Sequence, residues 1–548
     1  MRRFLLAVSA LTLLALSGTG HAAAARFAVG VRAGADVPAL QAELERRTGR
    51  RVENLAPVPA LLVESPSRRA VQGLAGIRYV ERVPLRRVAF VPNDPLTAKQ
   101  WYLTQNRAYD AWTELPPLAG VRVAVIDSGV DAGHPELTRR IVAARSFVGG
   151  SARADVQGHG TFVAGLIAAE TNNQTGIAGL SPAAELLIAK VVTKDRTIPV
   201  DVEARAIRWA VDSGARVINM SLGGLRDPLE PTRDTFSRLE ADAVAYAVSQ
   251  NVVVVAAVGN SDQAPAQPWR YASWPAALPH VLGVSAFTRS GSSPAFSNRD
   301  AIYNDLAAPG QEIVSTFPRV LTAKRAQCLE QGYSLCGPDE YRFAEGTSFA
   351  APQVSAAAAT LLGTDPTLRA EQVVALLERT AVDANASNGC RACPLGRDPY
   401  TGWGRLDVTA ALAAIEGPLP ARDRYEPNDD GGRGAYTLWG AKRRVEASLD
   451  FWDDQNDVYR VRLRRGQRIY ASLVGPRGTD PVLAVWRPGT ANIDDLGRQG
   501  LRANVSRRAG PNDFIGYRAR REGWHYLQVK LPTQGAGAYR LTVVKVPR

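Results

Sequence analysis

Histidine, cysteine and methionine are scarce: the chain of 548 residues has five, four and two of them. The side chain best suited to proton transfer near neutral pH is thereby limited to His21, His134, His159, His280 and His525. None of the four cysteines, Cys328, Cys336, Cys390 and Cys393, lies within the motifs described below, which excludes a thiolate nucleophile. Long apolar runs are missing after the first 25 residues, so no later segment is predicted to cross a membrane as a helix.

The first 25 residues have a basic start at Arg2 and Arg3, an apolar stretch from Phe4 to Leu16 and small residues through Ala22. This pattern predicts a signal peptide over 1–25, removed after about Ala22, and hence a secreted chain, with the periplasm or cell surface as variants. In an exported protein the even cysteine count favours two disulfides. Cys328 with Cys336 and Cys390 with Cys393 is the simplest of three connectivities, and a zinc site of all four thiolates is the rival.

The formal charge of +13 is unevenly spread, at +8 over residues 1–92, −5 over 93–417 and +10 over 418–548. A mildly acidic middle section makes a nucleic-acid partner a poor reading of the overall basicity. Hydrophobic content of 45% is ample for several cores in a chain of this length.

Three motifs carry chemistry. V-A-V-I-D-S-G runs from Val123 to Gly129, G-H-G-T-F-V-A-G from Gly158 to Gly165 and G-T-S-F-A-A-P from Gly346 to Pro352. An apolar run ending in Asp127 reads as a buried parallel strand with its carboxylate at the C-terminal edge, where open α/β sheets build their sites. His159 and Ser348 each stand between a small-residue turn and an apolar, Ala-rich stretch, which predicts that each opens a helix. Together they supply an acid, a base and a hydroxyl nucleophile, the groups needed for acyl transfer. A fourth motif, V-V-V-V-A-A-V-G-N from Val252 to Asn260, is an apolar strand that delivers an amide.

With these four motifs in this order, the chain resembles the subtilisin-like serine proteases, the subtilases. The resemblance implies a catalytic triad of Asp127, His159 and Ser348, and Asn260 as the oxyanion-hole donor. It implies that I-N-M-S-L-G-G, from Ile218 to Gly224, pairs with an extended substrate, and that no cofactor takes part in catalysis. The expected walls of the substrate pocket are Ser221, Leu222, Gly223 and Gly224 with Ala256, Ala257, Val258 and Gly259, and Ser273 near the base. These offer no buried charge, so cleavage after medium or large apolar residues is expected. Calcium is a possible structural ion at Asp94, Glu136 and Asn173. His134, in D-A-G-H-P-E-L, falls in a family turn and is read as structural. Phe162, Phe349 and Gln353 depart from the usual H-G-T-H, S-M-A and P-H-V; a phenyl ring in place of a thioether predicts tolerance of peroxide.

The expected fold class is α/β, with a subtilisin-like parallel sheet flanked by helices on both faces over 93–417. Strands are predicted at Val121–Ile126, Glu185–Val192, Val217–Met220, Val252–Val258 and Val281–Ala286, and helices at about Val202–Asp212 and Asp242–Gln250. Residues 26–92 alternate strand and helix patterns and resemble a subtilase propeptide, a small α+β unit that acts as transient inhibitor and is cut away between about Val88 and Pro92. An apparent insertion, Arg319 to Tyr341, either overhangs the cleft or is an ordinary surface loop. Beyond the linker near Pro418, residues 418–548 show short alternating strands and resemble the bacterial pre-peptidase C-terminal domain, an all-β sandwich. The reading is a self-processed endopeptidase acting on proteins or peptides, a monomer. The competing one is a catalytically idle binding or adhesion protein working through its basic C-terminal domain.

Overall fold

A computed structural model describes residues 25–65, 67–83, 89–262, 264–324, 334–335, 340–417, 423–451, 454–490, 493, 501–506, 508–533 and 535–546. The expected signal peptide, the start of the expected cleavage stretch at Val88, the Cys328–Cys336 pair, much of the Arg319–Tyr341 insertion and the linker at Pro418 lie outside them. The polypeptide forms two compact units, Met1–Val88 and Ala89–Arg548.

In the first unit β1 (Ala25–Val31), β2 (Val52–Asn54), β3 (Ala60–Ser65) and β4 (Ile77–Arg82) form an antiparallel sheet in the order β2-β3-β1-β4, crossed by α1 (Val37–Thr48). Asp36 caps α1 by accepting from the Ala39 N–H at 3.0 Å. Leu40 and Leu44, one turn apart, bury against Val29, Leu61 and Val63.

The second unit opens with α2 (Trp101–Gln105) and continues through β5 (Val121–Asp127), β6 (Ile141–Ser146), α3 (His159–Ala168), β7 (Ala184–Lys190), α4 (Val200–Asp212), β8 (Val217–Met220), α5 (Arg238–Ser249), β9 (Val253–Ala257), β10 (Val281–Phe287) and β11 (Leu306–Pro309). All the strand pairs of this sheet are parallel, in the order β11-β10-β9-β8-β5-β7-β6. Alternation along β5 sends Val123 and Val125 into one core and Ala124 and Ile126 into the other, so the strand is apolar from Val123 to Ile126. The first core takes α3 together with α7 (Thr347–Thr364), α8 (Ala370–Arg379) and α9 (Val408–Ala414); the second takes α4 and α5. Helix α7 is buried on nearly every side, which accounts for its Ala-rich, unpatterned sequence. Three short strands, β12 (Ile313–Thr316), β13 (Ser334–Leu335) and β14 (Tyr341–Ala344), make a separate sheet, and α6 (Arg319–Lys324) follows β12.

The predicted strands and helices are all present, with ends moved by up to four residues; β6 and β11, the two edges of the sheet, are additional. Cys390 and Cys393 are joined in a disulfide. With both sulfurs in that bond, a zinc site of four thiolates loses two of its ligands.

Among the described residues past 422, the regular elements are strands in two sheets. One sheet joins β15 (Tyr436–Thr437), β17 (Asn456–Leu463), β22 (Gly523–Lys530), β19 (Val482–Trp486) and β20 (Arg502–Ser506). The other joins β16 (Lys442–Asp450), β23 (Ala536–Val546), β18 (Arg468–Val474) and β21 (Asn512–Arg518). Alternate residues of both sheets, such as Tyr459, Val461 and Leu463 with Leu541, Val543 and Ile469, share one core, as in a β-sandwich.

Candidate active site

Asp127 ends β5 at the C-terminal edge of the sheet and is buried. His159 is the first residue of α3, and its Nδ1 lies 2.9 Å from each carboxylate oxygen of Asp127. A carboxylate can only accept there, so Nδ1 carries the proton and Nε2 presents its lone pair. Burial alone would lower the pKa of His159, but the charge of Asp127, its hydrogen bond and the charge of Asp155 together raise it. The close approach of helix and strand requires Gly160, where a Cβ would stand 2.1 Å from the Gly129 carbonyl oxygen.

A second buried carboxylate, Asp155, organises this corner. Its Oδ1 accepts from Ser128 Oγ (2.9 Å), Gln157 N (3.0 Å) and Gly158 N (2.8 Å), and its Oδ2 from Thr161 N (2.9 Å) and Thr161 Oγ1 (2.8 Å). It thus supplies acceptors to the orphan N–H groups at the start of α3, which has no capping side chain at Gly158. Ser128 Oγ in turn accepts from the Gly160 N–H at 2.9 Å, tying the strand carrying Asp127 to the helix carrying His159. Asp155 was not singled out from the sequence, because it stands outside the three motifs; its D-x-x-x-H spacing to His159 was the available signal.

Ser348 is the second residue of α7. Pro352, inside the same helix, has no N–H to give to the Ser348 carbonyl. That carbonyl instead accepts from Ser221 Oγ at 2.7 Å, and Ser348 Oγ donates to the Ser221 carbonyl at 3.2 Å. Ser221 is itself held by Asn219, whose Nδ2 donates to its Oγ at 3.0 Å while its Oδ1 accepts from Ser355 Oγ at 2.8 Å. Helix α7 and the end of β8 are therefore cross-linked at Ser348.

Asn260 lies just beyond β9. Its Oδ1 accepts from both the N–H and the Oγ1 of Thr347, each at 2.8 Å, which fixes the amide so that its NH2 faces away from Thr347. Asn260 and Ser348 both line a pocket of about 190 Å³ with Leu222, Gly223, Gly224, Leu225, Ala257, Gly259, Ser261, Asp262, Ala264, Ser273, Asn298 and Thr347. Gly259 has φ +101°, and a Cβ there would stand 2.3 Å from Ser273 Oγ and 2.6 Å from Asn298 Nδ2, so the wall tolerates only glycine. Ala256 and Val258 fall into the core below, as the period of two along the strand requires, and do not line the pocket. Leu225, Ser261, Asn298 and the exposed Asp262 line it without having been expected; Asp262 places a carboxylate at the rim, where none was foreseen.

The departures Phe162 and Phe349 pack ring against ring at 4.4 Å, and Phe349 also lies 5.5 Å from the His159 ring. Gln353 is fully buried, donating to the carbonyls of Pro309 (2.6 Å) and Phe349 (2.7 Å) and accepting from Asn106 Nδ2 (2.7 Å). His134 is also buried and packs edge-on against Tyr341 at 5.6 Å.

Asp94, Glu136 and Asn173 meet at one loop. Asp94 accepts from the N–H groups of Asn172 (2.8 Å) and Asn173 (3.2 Å), and Glu136 from Asn173 Nδ2 (3.1 Å), Ile177 N (3.2 Å) and Tyr341 OH (3.0 Å). Burial, with the charge of Asp94 adding to it, pushes the Glu136 carboxyl up to about 7. Two buried carboxylates beside an amide form a donor set that suits a hard cation.

Residues 119–404 match the Subtilase family. The chain is 35% identical over 287 residues to the thermophilic serine proteinase of Bacillus sp. (strain AK1), covering 52% of this chain and 63% of that protein. It is 32% identical over 295 residues to thermitase of Thermoactinomyces vulgaris, covering 53% of this chain and 92% of thermitase. Subtilisin DY of Bacillus licheniformis is 34% identical over 294 residues, covering 54% and 91%. A match over more than half of the chain, carried on a parallel sheet whose edge brings the carboxylate, imidazole and hydroxyl motifs to one corner, means that the chain belongs to the Subtilase family and is a subtilisin-like serine protease.

Proposed function

We propose that the chain is a secreted serine endopeptidase made as a self-processed zymogen, with Asp127, His159 and Ser348 as its triad. The observation that carries this reading is the paired 2.9 Å contact between Asp127 and His159 Nδ1, which leaves Nε2 as a base. In the reaction Ser348 Oγ leaves the Ser221 carbonyl and gives its proton to His159 Nε2 as it attacks the scissile carbonyl carbon. Asp127 stabilises the imidazolium, and the proton then passes to the leaving amine. The oxyanion is met by Asn260 Nδ2 and by the Ser348 N–H, which opens into the site from the first turn of α7. Water enters the same path to release the acyl group.

An extended peptide would run along Ser221–Gly224, with its side chain in the pocket walled by Gly259 and Ser273. The pocket's neutral depth supports broad cleavage after apolar residues. In this reading residues 1–25 are a signal peptide, 26–92 a transient inhibitor of the mature enzyme, 93–417 the catalytic domain and 418–548 a pre-peptidase C-terminal domain, and the enzyme works as a monomer. Calcium, where bound, would be held by Asp94, Glu136 and Asn173, and would neutralise two buried acids without entering the chemistry.

The test is to express the chain with and without Ser348→Ala and to determine the N-terminus of each secreted product by intact mass. A parent starting near residues 89–93, beside an uncut precursor in the variant, is expected. Products that both start near residue 23 would sink self-processing and favour the idle binding protein.

A further inference from the structure

Three stretches of chain that wall the pocket, Gly223–Leu225, Ser273 and Asn298, lie outside the strands of the parallel sheet. The sheet's own ladder therefore does not set the distances between them. Gly224 and Trp274 exchange two backbone hydrogen bonds of 2.9 Å, and Asn298 Nδ2 donates to Ser273 Oγ at 3.3 Å.

One buried ion pair adjoins all three stretches. Arg226, next to Leu225, is 6% exposed, and its Nη1 donates to Asp300 Oδ2 at 2.9 Å. Asp300, two residues past Asn298, is 4% exposed, and the same oxygen accepts at 2.9 Å from the N–H of Ala272, the neighbour of Ser273. Its Oδ1 accepts from the N–H groups of Ile302 (2.8 Å) and Tyr303 (3.1 Å), which fixes the carboxylate in its own loop. The guanidinium carbon of Arg226 stands 4.9 Å from the ring centre of Tyr303, 5.3 Å from that of Tyr271 and 5.7 Å from that of Trp274. A salt bridge buried at this depth is weak ground for stability, because desolvation offsets the attraction; the planar fork and the carboxylate instead fix directions and distances.

We propose that Arg226 and Asp300 are positioning residues that set the width of the substrate pocket, and with it the preference for a large apolar side chain over a small one before the scissile bond. The inference rests on the protease reading of this pocket. Neither residue lines it; both act through Leu225, Ser273 and Asn298. A large side chain reaches the walls that the pair holds, and a methyl group does not.

The experiment follows, in one mixture, the cleavage of two peptides that differ only in having Phe or Ala before the scissile bond. The ratio of their kcat/KM values does not depend on how much enzyme is folded, so a merely structural loss leaves it unmoved. Arg226→Met combined with Asp300→Asn removes both charges without stranding either, and should lower the Phe-over-Ala ratio about tenfold. Arg226→Lys keeps the charge but not the planar fork, and should shift the ratio in the same direction by less; it serves where the double variant does not accumulate. Arg107→Met breaks the 2.8 Å ion pair to Asp407, neither partner of which lines the pocket, and should leave the ratio at its parent value. An unchanged ratio in the Arg226 variants, or an equal fall in the Arg107 variant, would overturn this inference alone. A parent chain that cleaves neither peptide would overturn the protease reading along with it.

Discussion

Buried acids are treated in opposite ways at the two ends of the Ala89–Arg548 unit. Around His159, Asp155 meets five donors from its own chain, and Asp127 sits against the N–H of Ser128 and the imidazole of His159. At the entry to the sandwich, carboxylates face carboxylates, and oxygens of Glu426, Asn428 and Asp454 have no donor. The first arrangement is complete as folded, and so can hold reacting atoms in fixed positions. The second is only partly satisfied: Asp423 accepts from the N–H groups of Tyr425 and Ser448 and Asp457 from Asn428 Nδ2 and Tyr539 OH, while the oxygens just named stay bare.

If that contrast is right, removing charge from the first group always loses something, whereas removing it from the second gains stability when no cation is present. The largest loss is expected for Asp127→Asn, which leaves the fold in place but favours the wrong imidazole tautomer; kcat should fall about 10⁴-fold on a peptide substrate. Asn260→Ala should lower kcat about 10²–10³-fold with little change in KM, because its amide acts on charge that develops only during reaction. An equal loss in 1/KM alone would mean that it merely binds substrate.

Asp155→Asn replaces acceptors by a donor facing N–H groups. Thermal unfolding in the Ser348→Ala background should show a loss of about 2–3 kcal/mol. Asp454→Asn, by contrast, should raise the melting temperature in EDTA and leave kcat unaltered. A lowered melting temperature in EDTA would break the contrast.

The smallest effect concerns pH. His159 must be neutral to accept a proton, and its pKa is raised, so activity should fail as pH drops through a value above the ordinary ~6.5. Removing the Asp127 charge should move that acid limb of kcat/KM to lower pH. A limb that stays in place would mean that the carboxylate does not set the base.

Much of this was legible in the sequence where burial imposes a pattern. The central strands of the sheet are apolar on both faces, and the Asp127, His159, Ser348 and Asn260 motifs each follow or precede such a run. The edge strands β6 and β11 escaped for separate reasons: Ile141–Ser146 is interrupted by Arg145, and Leu306–Pro309 is four residues long and ends in proline. Helix α5 begins four residues before its expected start because Ser237 caps it and its first turn is Arg-Leu-Glu, polar by sequence, although Glu240 is buried. Asp155 was missed because it stands outside the motifs, although its donors Gln157, Gly158 and Thr161 are close in sequence. The acids of the sandwich depend on partners distant in sequence, such as Asn428 with Asp457, which no local pattern encodes.

Gln353 has a wider consequence. Where many subtilases place a second imidazole behind the nucleophile, this chain has an amide that fills three hydrogen bonds and cannot ionise near neutrality. Proton uptake on the acid side of the profile then belongs to one ring alone. A plot of log kcat/KM against pH should fall with unit slope there, which makes His159 readable as an isolated titration in a protein with 53 acidic residues.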